Sequence, residues 1–216
     1  MTRKLSLPDT ASVAETGPDG RMYAPSATRN MDAIAAVLDT HAPPSGHALE
    51  IASGTGQHIA QLAAQHPGLT WQPSDPDPAR RRSIDAHGQG LPNLRPALDL
   101  DACAPGWAAR HPGQNLVLLV NLLHLIPAAA AQTLIAQTAQ ALAPGGRFIL
   151  YGPFLRDGET TSDGDARFND SLIAQNPQIG YKDDWDVIDW LQDNWLELVQ
   201  VIEMPANNLC FIARKP

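Results

Sequence analysis

The run Glu50-Ile51-Ala52-Ser53-Gly54-Thr55-Gly56 carries the densest chemical signal in this sequence. Two glycines one residue apart let a backbone pass close to a ligand and take left-handed dihedrals without a side-chain penalty. Three ligand chemistries compete for such a loop. A phosphate-gripping loop needs Lys and then Ser or Thr after its second glycine, to reach phosphates and magnesium. Gln57 and His58 stand there instead, which excludes that chemistry. A nicotinamide dinucleotide loop needs a third small residue, and Ile59 occupies that place, which weakens the oxidoreductase reading. S-Adenosylmethionine (SAM) has no phosphate to wrap. It asks only that the glycines admit its ribose and methionine portions, with an acidic residue at the head of the loop.

The loop fits the E/D-x-G-x-G-x-G pattern of class I methyltransferases, with Ala52 in place of the first glycine. On this reading Glu50 braces the loop near the sulfonium and amino group, and Ser53, Gly54 and Gly56 line the cofactor. Asp75, at the end of the next strand, is placed to accept hydrogen bonds from both ribose hydroxyls, a feature shared with dinucleotide enzymes. Asp99-Leu100 follows a third strand, where a carboxylate takes the adenine amino proton and an apolar side chain covers the ring. Asn121-Leu122-Leu123-His124 ends a fourth strand, facing the methionine end of the ligand.

Those residues need a sheet to hold them. Ala27, Met31, Ile34 and Leu38 recur at helical spacing behind Ser26 as cap, and Pro43-Pro44 stops that helix. Strands are expected at His47–Ala52, Leu69–Ser74, Leu94–Leu98, Asn115–Val120 and Arg147–Tyr151. Helices are expected between them at Gln57–Gln65, Pro78–His87 and Ala128–Leu142. The almost wholly apolar run at 115–120 is that of a parallel strand covered on both faces. The polar segment Phe154–Asp183 is too long for an ordinary connection. Trp185, Ile188, Leu191 and Trp195 then share a helix face, and Leu196–Ile202 and Leu209–Ala213 close the chain as a hairpin. This is a doubly wound α/β fold with a seven-stranded, mostly parallel sheet and a C-terminal antiparallel hairpin. Residues 1–24 read as a tail or flap, and 25–216 as a single cofactor-binding domain.

The chain has 216 residues and a net charge of −8. An acidic chain lacks the clustered Lys and Arg of a nucleic-acid surface. Its densest basic run, Arg80-Arg81-Arg82, reads as a solvated helix face. No apolar stretch reaches the ~20 residues of a membrane helix. The two distant cysteines, Cys103 and Cys210, suggest a reducing cytoplasm rather than a disulfide framework. Carboxylates near a cationic cofactor suffice without a metal, so none is expected.

The sequence resembles the class I SAM methyltransferase-like family that includes methyltransferase-like protein 26. The resemblance runs from about Tyr23 to Arg214. It rests on Ala24-Pro25-Ser26-Ala27-Thr28-Arg29-Asn30, Leu49 to His58, Trp71-Gln72-Pro73-Ser74-Asp75-Pro76-Asp77, Asn121 to His124, Leu150-Tyr151-Gly152-Pro153-Phe154 and Glu203-Met204-Pro205-Ala206-Asn207-Asn208. The sequence departs from the family's usual Glu at Thr28, and from a W-G-I-R-D-like run at Ile179-Gly180-Tyr181-Lys182-Asp183. The resemblance implies a SAM-binding Rossmann-like fold, with His58 and Asn30 among the cofactor residues and Asn207 and Asn208 on the acceptor side.

Methyl transfer is an in-line displacement, so positioning of the acceptor dominates, and a base helps where the acceptor is weakly acidic. His124 is the candidate base. Tyr151 is the candidate orienting hydroxyl, with Phe154 beside it on the acceptor side. Arg29 is placed to meet the methionine carboxylate. The function read from the sequence is SAM-dependent methyl transfer to a small molecule, giving S-adenosylhomocysteine (SAH). The alternative is a non-catalytic SAM- or SAH-binding module acting as sensor or protein partner. The oligomeric state is open.

Overall fold

The computed structural model describes residues 14–216. Residues 1–13 of the expected flap lie outside the described residues. The described chain begins with β1 (Glu15–Thr16) paired antiparallel with β2 (Met22–Tyr23), then α1 (Pro25–His41). Pro25 takes the first helical position, where its fixed φ and missing N–H are harmless. This moves the cap back to Ala24, which makes no side-chain cap, and puts the expected cap Ser26 inside the first turn.

The remaining elements are β3 (Gly46–Ile51), α2 (Gln57–Gln65), β4 (Leu69–Pro73), α3 (Pro78–His87), β5 (Gln114–Val120), α4 (Ala128–Ala141), β6 (Leu142–Leu155), α5 (Asp163–Gln175), β7 (Lys182–Asp183), α6 (Asp184–Asp193), β8 (Glu197–Met204) and β9 (Asn208–Arg214). The sheet runs β4-β3-β5-β6-β9-β8, with β7 added to β6. The pairs β3–β4, β3–β5, β5–β6 and β6–β7 are parallel, while β9 is antiparallel to both β6 and β8. Parallel strands need a crossover, and helices supply it on both faces of the sheet. One apolar layer therefore sits on each face. Phe148, Leu150, Phe154 and Phe211 pack with α4 and α6, and Ile149, Tyr151 and Ile212 pack with α1 and α2.

The strand expected at Leu94–Leu98 is reduced to two bridges, Trp71–Leu94 and Ser74–Leu98. Pro96 between them has no N–H to give to a ladder. The seventh strand is instead the two-residue β7. β6 is far longer than Arg147–Tyr151, because Gly145 at φ 75° and Gly146 absorb a register shift opposite Gln114 and Leu116. The polar segment after Phe154 holds a helix, α5. Its cap Ser162 accepts a hydrogen bond from the Asp165 N–H, and acidic residues fill its first turn. On α6, Val187 and Leu191 face the core, whereas Trp185 is exposed and Trp195 lies beyond the helix at φ 58°. The expected common helix face of Trp185, Ile188, Leu191 and Trp195 is thus corrected. Asn194 and Trp195 break the helix before β8 begins.

Candidate functional site

The parallel strands β3, β4 and β5 end on one edge of the sheet, and the chain around these ends turns through strained or glycine positions. Ala52 (φ 53°), Gly54 (φ 59°), Gly56 (φ 90°) and Asn121 (φ 56°) all have left-handed dihedrals. For Ala52 that conformation costs roughly 1–2 kcal/mol, and such strain gathers where a ligand dictates the backbone.

Hydrogen bonds fix the loop in place. The Ser53 N–H donates to the Ser74 carbonyl at 2.8 Å, and the Ser74 hydroxyl to the Glu50 carbonyl at 2.8 Å. The Gly54 N–H donates to Asp75 Oδ2 at 3.1 Å, and the Asp77 N–H to Asp75 Oδ1 at 2.9 Å. The start of α1 is tied down as well. Gln57 Oε1 accepts from the Ala24 N–H at 2.7 Å, and the Ser83 hydroxyl from the Met22 N–H at 2.7 Å.

These turns enclose a cleft lined by Glu50, Ala52, Ser53, Gly54, Thr55, His58, Asp75 and Asn121, with Ala24, Ser26, Ala27, Arg80, Val120, Leu122 and Leu125. Its floor is acidic. Glu50 is 2% exposed, and its Oε2 has no hydrogen-bond partner among the described residues. Burial, with the Asp75 charge adding to it and Ser53 opposing, pushes its carboxyl up to about 7. Burial also raises Asp75, against the N–H groups of Asp77 and Gly54 and the Arg80 guanidinium. Two buried carboxyls that resist ionisation are suited to a cationic guest, because a positive charge is what favours their ionised forms.

The remaining expected site residues fall outside this lining. Gly56 serves packing, since a Cβ there would sit 2.6 Å from the Ile84 Cα of α3. Gly56→Ala is therefore expected to lower stability by about 3 kcal/mol, combining overpacking against backbone with left-handed strain, measurable by denaturant unfolding. Asp99, expected at the adenine, pairs with Arg81 at 3.2 Å. Leu100 is 3% exposed in the core layer. Arg29 is exposed on α1, because the helix turns its buried stripe of Ala27, Asn30 and Met31 inward. Asn30 Oδ1 lies 2.8 Å from His58 Nε2, and Asn30 also hydrogen-bonds Tyr151. Burial lowers His58 to about 4, so it is a neutral brace.

The expected catalytic and acceptor residues lie outside the cleft lining, each buried or bonded elsewhere. Tyr151 is 2% exposed, and burial raises its hydroxyl above the ordinary tyrosine range. Phe154 is core, its ring 4.9 Å from that of Phe211. His124 is 6% exposed, and burial, together with the Lys182 charge, lowers it to about 3. Burial thus disfavours the imidazolium that a base at His124 would form. Asn208 Nδ2 closes its own hairpin turn on the Pro205 and Ala206 carbonyls, and Asn207 Nδ2 reaches Asp165 Oδ2 at 2.9 Å.

Arg80, Thr55 and Leu125 are cleft residues that sequence reasoning passed over. Arg80 had a signal. Asp77 caps α3 and Pro78 opens it, so the third residue of that turn faces back to the glycine loop. Arg81 is likewise no solvated residue: it donates to the Asp75 carbonyl at 2.8 Å.

Solved structures share this architecture. An O-methyltransferase family protein from Burkholderia thailandensis superposes with a TM-score of 0.72 at 20% identity, covering 88% of this chain and 57% of that one. Human N-acetylserotonin methyltransferase in complex with SAM gives 0.73 at 15%, covering 88% and 52%. An O-methyltransferase family 2 protein from Planctomyces limnophilus in complex with apigenin gives 0.71 at 17%, covering 88% and 60%. The chain spans little more than half the length of these proteins, and the likeness is one of fold: a Rossmann-like methyltransferase fold. At the level of sequence, the model of the family described as "Protein of unknown function (DUF938)" matches residues 21–215, and the chain belongs to that family.

Proposed function

We propose that the cleft binds SAM and that the chain transfers its methyl group to a small-molecule acceptor, as the methyltransferase-like family of its motifs implies. The observation that carries this reading is the Glu50 carboxyl, buried and, among the described residues, unpartnered at Oε2, facing the same cleft as Asp75 across a left-handed loop. Bound there, SAM supplies an electrophilic methyl group on a sulfonium. Glu50 would balance its positive end, Asp75 its ribose hydroxyls, and Asn121 and Leu122 its methionine side. Ala24, held by Gln57, and Ser26 beside it in the lining would cover the ligand and exclude water.

Glu50, the cleft group raised to about 7, is assigned to the sulfonium, so the chain's contribution is alignment of donor and acceptor. Two of the similar structures are named as O-methyltransferase family proteins, one of them in complex with apigenin, which supports an oxygen acceptor of small size. Among the described residues no helix is long and apolar enough to cross a membrane. The free cysteines Cys103 and Cys210 fit a reducing cytoplasm.

The test is a radiolabelled methyl assay with SAM against fractionated small-molecule pools. Label appearing in a low-mass product supports the reading. SAM binding with no labelled product in any fraction would leave a binding module, and absence of binding would overturn both.

A further inference from the structure

The segment between β6 and α6 folds back over the tip of β5. Leu172 of α5 packs with Leu125 and Ile179, and the Gly180 N–H donates to the His124 carbonyl at 3.0 Å. Beneath this cover lie two buried polar side chains with unused bonding capacity. Lys182 is 8% exposed and donates to the Gly180 carbonyl at 2.7 Å. An ammonium has three N–H bonds, and among the described residues Lys182 makes no ion pair with a carboxylate. His124 is 6% exposed, and its Nδ1 has no partner among the described residues. The rings of Phe168 and Tyr181 stand edge-on to His124, with centroids 5.9 and 6.1 Å away. An acid of the cover, Asp165, is engaged by Ser162, Asn207 and the Tyr181 hydroxyl.

A buried cation without a counter-ion is costly, and proteins pair such charges. Burial already lowers Lys182 to about 8, yet it stays mostly charged at neutral pH. Its place in the fold shows what can reach it. Lys182 pairs with Phe154 of β6, three residues past Tyr151, and Tyr151 pairs with Val120, which lines the cleft. At roughly 3.3 Å per residue, Lys182 therefore sits about 10 Å beyond the cleft along the same edge of the sheet. Leu122 and Leu125, on either side of His124, line the cleft directly.

We infer that Lys182 and His124 form an acceptor subsite for a small carboxylate, whose oxygens take the free ammonium N–H bonds and the Nδ1–H of a neutral His124. One ammonium and one imidazole N–H match a single negative charge. A phosphate, with close to two charges at neutral pH, calls for arginines, and Arg156, two residues past Phe154, is already engaged by Glu203 and the Asn207 carbonyl. The rings of Phe168 and Tyr181 favour an aromatic or apolar body on the acid. The inference rests on the methyltransferase reading of the adjoining cleft.

Benzoate is the probe and benzamide its uncharged control, titrated into the full chain saturated with SAH. SAH binding is measured first and alone, so its failure would overturn the cofactor reading and not this one. Benzoate is expected to bind at least about tenfold more tightly than benzamide, and Lys182→Met to remove that preference while SAH affinity stays within about threefold. Equal affinity for the two probes, no benzoate binding up to about 20 mM, or undiminished benzoate binding by Lys182→Met would overturn the inference. If Lys182→Met does not fold, the His124 ring nitrogen resonances of the unsubstituted protein decide the matter. They should move with benzoate and stay still with benzamide, and any other pattern overturns the inference.

Discussion

Glu50→Gln is expected to make the ligand-free protein more stable and its SAM binding weaker. An unfolded glutamate titrates near 4.5, whereas burial lifts folded Glu50 to about 7. The folded state therefore holds the proton more tightly. That advantage is complete below pH 4.5 and is lost as pH rises through 7. Above pH 7 the fold carries an ionised, buried carboxylate at a penalty of roughly 3 kcal/mol, since each tenfold change in proton affinity is worth about 1.4 kcal/mol. Glutamine keeps the shape without the charge. Melting curves should show the variant several degrees more stable at pH 8 and indistinguishable from the parent at pH 4.

Binding should move the other way. A fixed sulfonium stabilises the Glu50 anion, so SAM binding releases a proton below pH 7, and affinity falls as pH drops from 8 to 6. Titrations in buffers of different ionisation enthalpy would measure that release. In Glu50→Gln it should vanish, with SAM weakened by about tenfold or more and the uncharged-sulfur product SAH much less. Equal losses for the two ligands, or no gain in stability at pH 8, would contradict the role given to Glu50.

Asp75→Ala is expected to weaken both SAM and SAH by at least about 100-fold. A hydrogen bond to a charged acceptor is worth about 1.5–3 kcal/mol, and loss of two to ribose hydroxyls gives an effect of that size. The substitution also frees the Gly54 N–H from its 3.1 Å partner, loosening the loop. Asp75→Asn keeps one accepting oxygen and should lie in between. Calorimetry on both variants, with melting curves to verify folding, checks the ordering. Binding undisturbed in Asp75→Ala would remove the carboxylate from the site.

The sheet was legible because its signal is local. The apolar run at 115–120 and the glycine loop after Glu50 each declare a strand end without reference to the rest of the chain. What places Asp99 and Arg29 is not local. Asp99 had a competing partner in Arg81, from a helix whose rotation the sequence does not display. Arg29 faces outward because Asn30 is drawn inward by His58. Of the four strand-tip residues expected to converge, Glu50, Asp75 and Asn121 share the cleft and Asp99 does not.

α5 went unread although Ser162 and Asp165 are spaced as a helix cap, because only Ala166, Phe168, Leu172 and Ile173 mark its apolar side. His124 and Tyr151 are residue types that perform chemistry, but burial governs their titration, and burial belongs to the whole fold.

Amide NMR spectra recorded during an SAH titration would show whether three strand tips hold one adenosyl ligand. Saturable shifts are expected to concentrate at residues 50–56, at Asp75 to Asp77, and at Asn121 and Leu122. No saturable shift at millimolar SAH, or shifts confined to some other face of the sheet, would contradict that shared site.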